Sequence, residues 1–233
     1  MKSPHFGVVV FPGSNCDHDA YYALNKILGF KVHFLWHKDT NLKESDVIIL
    51  PGGFSYGDYL RTGAIACFSH IMNSVIDFAN NGGIVIGICN GFQILIEAGL
   101  LPGVLLKNIS PNFVCKDVYL TIENTQSNFT HGINEKRVLN IPIAHGEGNY
   151  FADNDTINEM KDNNQIVFRY SSEKGNVSEK NNPNGSVENI AGIINKNGNV
   201  LGMMPHPERS CDPVLKKTDG QLIFNALAHN IFN

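Results

Sequence analysis

Ile84-Val85-Ile86-Gly87-Ile88-Cys89-Asn90-Gly91-Phe92-Gln93-Ile94-Leu95-Ile96 is the stretch whose reading decides the fold of this chain. Its first part, Ile84 to Ile88, is continuous and apolar, as expected for a strand buried on both faces. Its last part, Phe92 to Ile96, is an apolar run suited to a helix. Between them lies Gly87-Ile88-Cys89-Asn90-Gly91, a Gly-x-nucleophile-x-Gly elbow with cysteine in the serine position. Such a nucleophile sits on a strained strand-to-helix turn, where side chains two positions before and after would collide; both positions are glycine. The helix N-terminus then points at the sulfur and favours thiolate, and the Asn90 N–H is placed to donate to an oxyanion. A second reading fits the same residues: a tight strand–helix connection around an inert cysteine, the usual state of a buried thiol.

Outward from this elbow, strands and helices alternate. Phe6 to Phe11 is a β-branched run broken by Gly13 and Ser14. Asn15 is placed to cap a helix that carries Ala20, Leu24, Ile27 and Leu28 on one stripe and stops at Gly29. Val32 to Trp36 and Val47 to Leu50 read as strands, the latter followed by the turn Pro51-Gly52-Gly53. Ile65, Phe68, Met72, Val75 and Ile76 carry helical spacing over residues 65–79. The pattern predicts an α/β fold, a doubly wound, mostly parallel sheet with helices on both faces. After Leu101 the texture changes. Val118 to Ile122, Val138 to Ile143 and Ile166 to Tyr170 read as strands with few helices between, an antiparallel extension. Ser171 to Asn189 is rich in Asn, Ser and Gly and reads as a loop, ordered or mobile. Ile190 to Ile194 and Val200 to Met204 form a hairpin about Asn197-Gly198, and 221–231 a closing helix.

The bulk properties narrow the function. A chain of 233 residues without a linker suits one domain, 1–233. A net charge of −4 gives no electrostatic reason to expect nucleic acid or a membrane surface. The apolar runs fall far short of the roughly 20 residues that span a bilayer. No charged leader precedes the first strand, so a cytoplasmic location is expected. Five scattered cysteines (16, 67, 89, 115 and 211) form no CxxC pair, so neither a disulfide framework nor a metal cluster is expected.

A cysteine nucleophile needs a base, and the base an orienting group. Met204-Pro205-His206-Pro207-Glu208-Arg209 follows a strand, and in extended chain a two-residue offset puts His206 and Glu208 on one side. A surface turn with an incidental charge fits equally, and spacing alone does not bring His206 to Cys89. The Gly52-Gly53 turn offers a further oxyanion donor through its backbone N–H, or is an ordinary Pro-Gly turn.

Together these stretches resemble the class I, triad-type glutamine amidotransferases, whose sheet is flavodoxin-like. More narrowly, they resemble the glutaminase subunits of phosphoribosylformylglycinamidine synthase. The resemblance covers essentially the whole chain. The elbow and Met203 to Arg209 mark the superfamily; Gly52-Gly53-Phe54-Ser55-Tyr56-Gly57-Asp58-Tyr59-Leu60-Arg61, Pro142-Ile143-Ala144-His145-Gly146-Glu147-Gly148-Asn149-Tyr150 and Asn182-Pro183-Asn184-Gly185-Ser186 mark the narrower group. Lys116 stands where the family leads one to expect arginine. The resemblance implies Cys89 as nucleophile, His206 as base and Glu208 as its orienting carboxylate. It implies backbone donors at Gly53 and Asn90, and a substrate contact at Gln93. His145 and Gly146 would line the same pocket, although His145 is equally readable as structural. Tyr56, Asp58 and Arg61 would shape the glutamine site or a partner contact. It further implies glutamine as substrate, with ammonia passed to a synthetase subunit that converts formylglycinamide ribonucleotide to formylglycinamidine ribonucleotide, alongside a small auxiliary subunit. No cofactor is expected on this chain, which has no Walker A motif; ATP and Mg belong on the synthetase. Alternatives are a non-catalytic regulatory subunit, a glutaminase of another pathway, or a peptidase-like hydrolase.

Overall fold

The computed structural model describes residues 3–232 of the chain, so the outermost residues of the 1–233 span lie outside it. Five strands make its parallel half: β1 (His5–Val10), β2 (Lys31–Trp36), β3 (Val47–Leu50), β4 (Ile84–Ile88) and β11 (Val200–Met203). They lie in the order β2-β1-β3-β4-β11, each parallel to its neighbour. The sheet continues antiparallel through β10 (Ile190–Ile194), β9 (Ile166–Ser171), β6 (Val114–Ile122) and β7 (Leu139–His145). Within it, β10 and β6 alone run against the common direction. The α/β sheet is therefore mostly parallel with an antiparallel extension, as the alternating pattern predicts. Strand order reverses between β1 and β3, and ligands in open α/β sheets bind beyond the carboxyl ends of strands near such a reversal.

The helices are α1 (Asp17–Tyr21), α2 (His70–Asn80), α3 (Asn90–Glu97), α4 (Asn154–Asp162) and α5 (Asp219–Asn230). Several sequence expectations change in detail. Asn15 is exposed and does not cap α1; Cys16 takes the N-cap position, and Ser14 bonds Asp17 Oδ2 at 2.8 Å instead. The helix relaxes to π geometry over Tyr22–Ile27 before Gly29 stops it at positive φ. The helix expected over 65–79 is broken. Ser69 adopts extended angles (φ −64°, ψ 146°) and starts α2, which leaves Phe68 86 % exposed on a preceding 3₁₀ turn rather than in the core stripe. Two features were not expected at all. The β5 (Val104–Leu106) and β8 (Asn149–Phe151) ribbon is too short to register as alternation, and α4 offers only Ile157 and Met160 as buried residues. The residues after β9 are ordered by side-chain amides: Asn184 Nδ2 bonds the Gly148 carbonyl at 2.7 Å, and Asn189 Nδ2 the Tyr170 carbonyl at 3.0 Å.

Candidate active site

Cys89 sits between β4 and α3 with φ 51° and ψ −104°, a conformation that costs a non-glycine residue energy and persists only where neighbours enforce it. The neighbours are visible. A Cβ at Gly87 would stand 2.5 Å from the Gly91 carbonyl oxygen and from Leu95 Cδ1, and one at Gly91 would overlap the Leu50 carbonyl oxygen. The elbow therefore closes only with glycine on both sides. The Cys89 N–H donates to the Met203 carbonyl at 2.8 Å, so Cys89 extends the β4–β11 ladder. Its sulfur lies 3.7 Å from the Ala144 carbonyl.

The adjacent strand delivers a histidine. His206 follows β11; its N–H donates to the Pro142 carbonyl at 2.8 Å, and its Nδ1 pairs with Glu208 Oε1 at 2.6 Å. The pairing does not arise from extended chain. Pro207 opens a 3₁₀ turn, Pro207–Ser210, and the turn brings the carboxylate beneath the ring. Both side chains are buried. Burial opposes the imidazolium, but Glu208 and then Cys89 outweigh it and raise the pKa of His206 well above its ordinary value. Because Nδ1 is held by Glu208, Nε2 is the nitrogen left for Cys89; it has no aligned hydrogen bond among the described residues. A methyl at Gly52 would stand 2.7 Å from His206 Cε1 and 3.4 Å from Cys89 Cβ, so the two residues flank one small space. The structure thus brings together Cys89, His206 and Glu208.

The third wall is the segment after β3. Gly53 has φ 123°, and a Cβ there would overlap the Asn15 nitrogen, so only glycine lets this backbone lie against the turn after β1. Positive φ recurs at Tyr56 (55°), Asp58 (53°) and Leu60 (72°). Side chains hold this segment in place: Tyr56 Oη bonds His37 Nδ1 at 2.7 Å and Ser69 Oγ at 3.0 Å. Asn90 does more than its backbone suggests. Its Oδ1 accepts from the Ser55 N–H at 3.0 Å, and its Nδ2 reaches Gln93 Oε1 at 2.9 Å and Asp58 Oδ1 at 3.3 Å. One amide therefore ties the Gly53 segment to the first turn of α3.

Gln93, buried, donates from Nε2 to the Glu147 carbonyl at 2.7 Å, and the Glu147 side chain accepts from Thr62 Oγ1 at 3.0 Å. A pocket of about 290 Å³ opens there, lined by Arg61, Thr62, Gln93, Glu97, Leu105 and Glu147. Burial, and then Glu147, push the Asp58 carboxyl up to about 6. Arg61 is exposed and forks onto Glu97. Gly146 is partly open; a methyl there would stand 3.8 Å from the Phe113 ring. His145 is buried, with Nδ1 3.0 Å from Asn108 Oδ1 and Nε2 3.5 Å from Asn184 Nδ2. Burial, reinforced by His206, lowers its pKa to about 4, so it is a neutral ring. Its geometry matches a post that fixes the 145–148 turn and the Asn184 loop. A larger cavity of about 560 Å³, lined by His131, Arg137, Asp219, Leu222 and others, includes none of these residues.

Sequence reasoning missed the Asn90 side-chain clamp, the facing carboxyls of Asp58 and Glu147, and Cys16, whose sulfur joins the His206–Glu208 cluster. The last had no sequence signal, since residues 16 and 206 meet only through the β1–β3–β4–β11 order.

Comparison with known proteins gives a consistent picture. The model of the CobB/CobQ-like glutamine amidotransferase domain matches residues 3–228. The phosphoribosylformylglycinamidine synthase subunit PurQ of Salinibacter ruber is 54% identical over 98% of this chain and 97% of its own length. The subunit of the same name from Moorella thermoacetica is 59% identical over 93% and 92%. Among solved structures, PurLQS from Thermotoga maritima contains a chain that superposes with a TM-score of 0.85 at 43% identity, covering 98% of this chain and 99% of that one.

Proposed function

The chain belongs to the CobB/CobQ-like glutamine amidotransferase family, and from that premise we propose the chemistry its residues perform as the glutaminase subunit of phosphoribosylformylglycinamidine synthase. The observation that carries the reading is the strained Cys89 elbow beside an imidazole whose Nδ1 is held by Glu208 at 2.6 Å.

Cys89 gives its thiol proton to His206 Nε2, and its sulfur attacks the side-chain carboxamide carbon of glutamine. The backbone N–H groups of Gly53 and Asn90 hold the oxyanion, each worth about 3–4 kcal/mol to the transition state. As the C–N bond breaks, His206 returns the proton to the leaving nitrogen, and ammonia departs from a γ-glutamyl thioester. Water then gives a proton to His206 and attacks the thioester; glutamate leaves and the thiol is restored. Acid–base catalysis of this kind contributes roughly 10²–10⁴-fold. Glu208 fixes the tautomer and stabilises the imidazolium. The pocket beside Gln93 and Glu147 would take the amino-acid end of glutamine. Ammonia passes, shielded from protonation, to the synthetase subunit, which carries ATP and Mg and works with a small auxiliary subunit in the cytoplasm.

Cys89→Ala tests this. In the assembled complex it should abolish glutamine-dependent synthesis and spare ammonia-dependent synthesis. Equal loss of both, or addition of a glutamine-like affinity label chiefly at another cysteine, would refute it.

A further inference from the structure

Cys16 has no part in that reaction, yet it is buried beside the base. Its sulfur, a ring nitrogen of His206 and a carboxylate oxygen of Glu208 lie within 4.8 Å of one another. Cys16 and His206 both border the space at Gly52, where a methyl would stand 3.3 Å from Cys16 Sγ and 2.7 Å from His206 Cε1. Two atoms of this cluster are buried without a hydrogen-bond partner among the described residues: His206 Nε2 and Glu208 Oε2. Buried polar atoms are normally paired. The reaction explains the free Nε2, which must serve Cys89. It explains neither the free Oε2 nor a thiol among these groups.

We propose that Cys16, His206 and Glu208 form a site for a thiophilic divalent cation of the Zn²⁺ type, and that the ion switches the glutaminase off. A thiolate, an imidazole and a carboxylate make a donor set that suits Zn²⁺, with a fourth position left for solvent. Mg²⁺ and Ca²⁺ favour oxygen donors and fit poorly. As the sulfur–metal bond forms, the Cys16 proton goes to solvent; no oxidant is needed. Arg209, whose Nη2 donates to Cys16 Sγ at 3.0 Å, would turn toward Asp19, which already accepts from its Nε at 3.0 Å. Glu208 supplies the compensating negative charge. The ion takes Nδ1, the ring nitrogen on the Glu208 side, and so replaces the Nδ1–Glu208 hydrogen bond that orients the base.

The inhibitory half rests on the glutaminase reading; the binding half does not, so the two are tested separately. Binding is read with Co²⁺ on the full-length Cys89→Ala chain, which lacks the nucleophile. A thiolate-to-cobalt absorption band should appear at one ion per chain, and it should be lost in Cys16→Ser/Cys89→Ala and in Cys16→Ala/Cys89→Ala, with melting curves verifying that both fold. Inhibition is read in the synthetase complex. Zn²⁺ should suppress glutamine-dependent but not ammonia-dependent synthesis, reversibly by chelator, and Cys16→Ser should need roughly 10–100-fold more Zn²⁺ relative to its own uninhibited rate. A cobalt band that persists without Cys16, a band that vanishes when Cys89 alone is removed, or unchanged Zn²⁺ sensitivity in Cys16→Ser overturns the proposal. A Cys16-dependent band in a chain that never supports glutamine use upholds the site and refutes only the glutaminase reading.

Discussion

Replacing Asn90 by alanine separates what its backbone does from what its side chain does. The backbone N–H proposed as an oxyanion donor survives the change. The side chain loses its bonds to the Ser55 N–H, Gln93 Oε1 and Asp58 Oδ1. Ser55 and Gln93 are buried, at 2 % and 6 % exposure, so water does not readily replace what they lose. Each orphaned buried group costs about 1–3 kcal/mol, so the two together cost about 2–6 kcal/mol of local stability. That cost falls on a segment already held at positive φ, and the easiest relief is for residues 53–58 to shift. A misplacement of about 1 Å costs on the order of 10²-fold, and complete loss of one donor 10²–10³-fold. Asn90→Ala is therefore expected to lower glutamine-dependent kcat about 10²-fold in the complex. Ammonia-dependent synthesis should be intact, and the melting temperature lower by several degrees. Asn90→Asp keeps the acceptor for Ser55 but sets a carboxylate against Asp58, so its rate should recover as pH falls toward 6. A folded Asn90→Ala subunit with kcat within about threefold of wild type would refute the clamp.

Gly91→Ala should destabilise the chain by about 3 kcal/mol or more, read by urea denaturation, because its methyl overlaps the Leu50 carbonyl and strand β3 cannot yield without opening the sheet. His145 has its folded pKa lowered to about 4, so the unfolded chain takes up its proton first. Stability from the neutral ring is present above about 6.5 and is lost as pH falls toward 4, by about 3 kcal/mol; His145→Gln should flatten that acid limb in melts between pH 7 and 4. Asp58 acts in the opposite sense. Its folded pKa is raised to about 6, so the folded chain binds the proton more tightly and stability falls as pH rises from about 4 to 6. Undiluted, the shift is worth about 3 kcal/mol; for a half-buried carboxyl, screening leaves about 1 kcal/mol across the whole window, which Asp58→Asn should abolish in urea titrations at about pH 4 and 7.5.

The centre of the parallel half was legible because β3 and β4 are uniform apolar runs, so burial on both faces is written directly into Val47–Leu50 and Ile84–Ile88. The elbow was legible for a steric reason, since few contexts demand glycine at both 87 and 91. What escaped reading depends on distance in sequence or on polar side chains. Helix α4 is polar apart from Ile157 and Met160, and it starts because Asp153 caps Thr156, a signal that periodicity ignores. Ser69 divides one apparent helix into two while its hydroxyl meets Tyr56, a contact made across the fold. Resemblance supplied the pairing of Cys89 with His206, and spacing alone did not. The structure accounts for that pairing through β4 and β11 lying side by side.

That adjacency has a consequence for how the molecule tolerates change. Ile88 is in register with Met203, and the Cys89 amide continues the same ladder, so the backbone at Cys89 is set against the end of β11, from which the chain runs on to His206, by peptide units of invariant length. Exchanging one apolar side chain for another beneath the sheet alters volume but leaves this ruler untouched. Substitutions can thus accumulate throughout the interior while the reactive pair stays in tune, and drift in rate should track the few residues that fasten the loops above it.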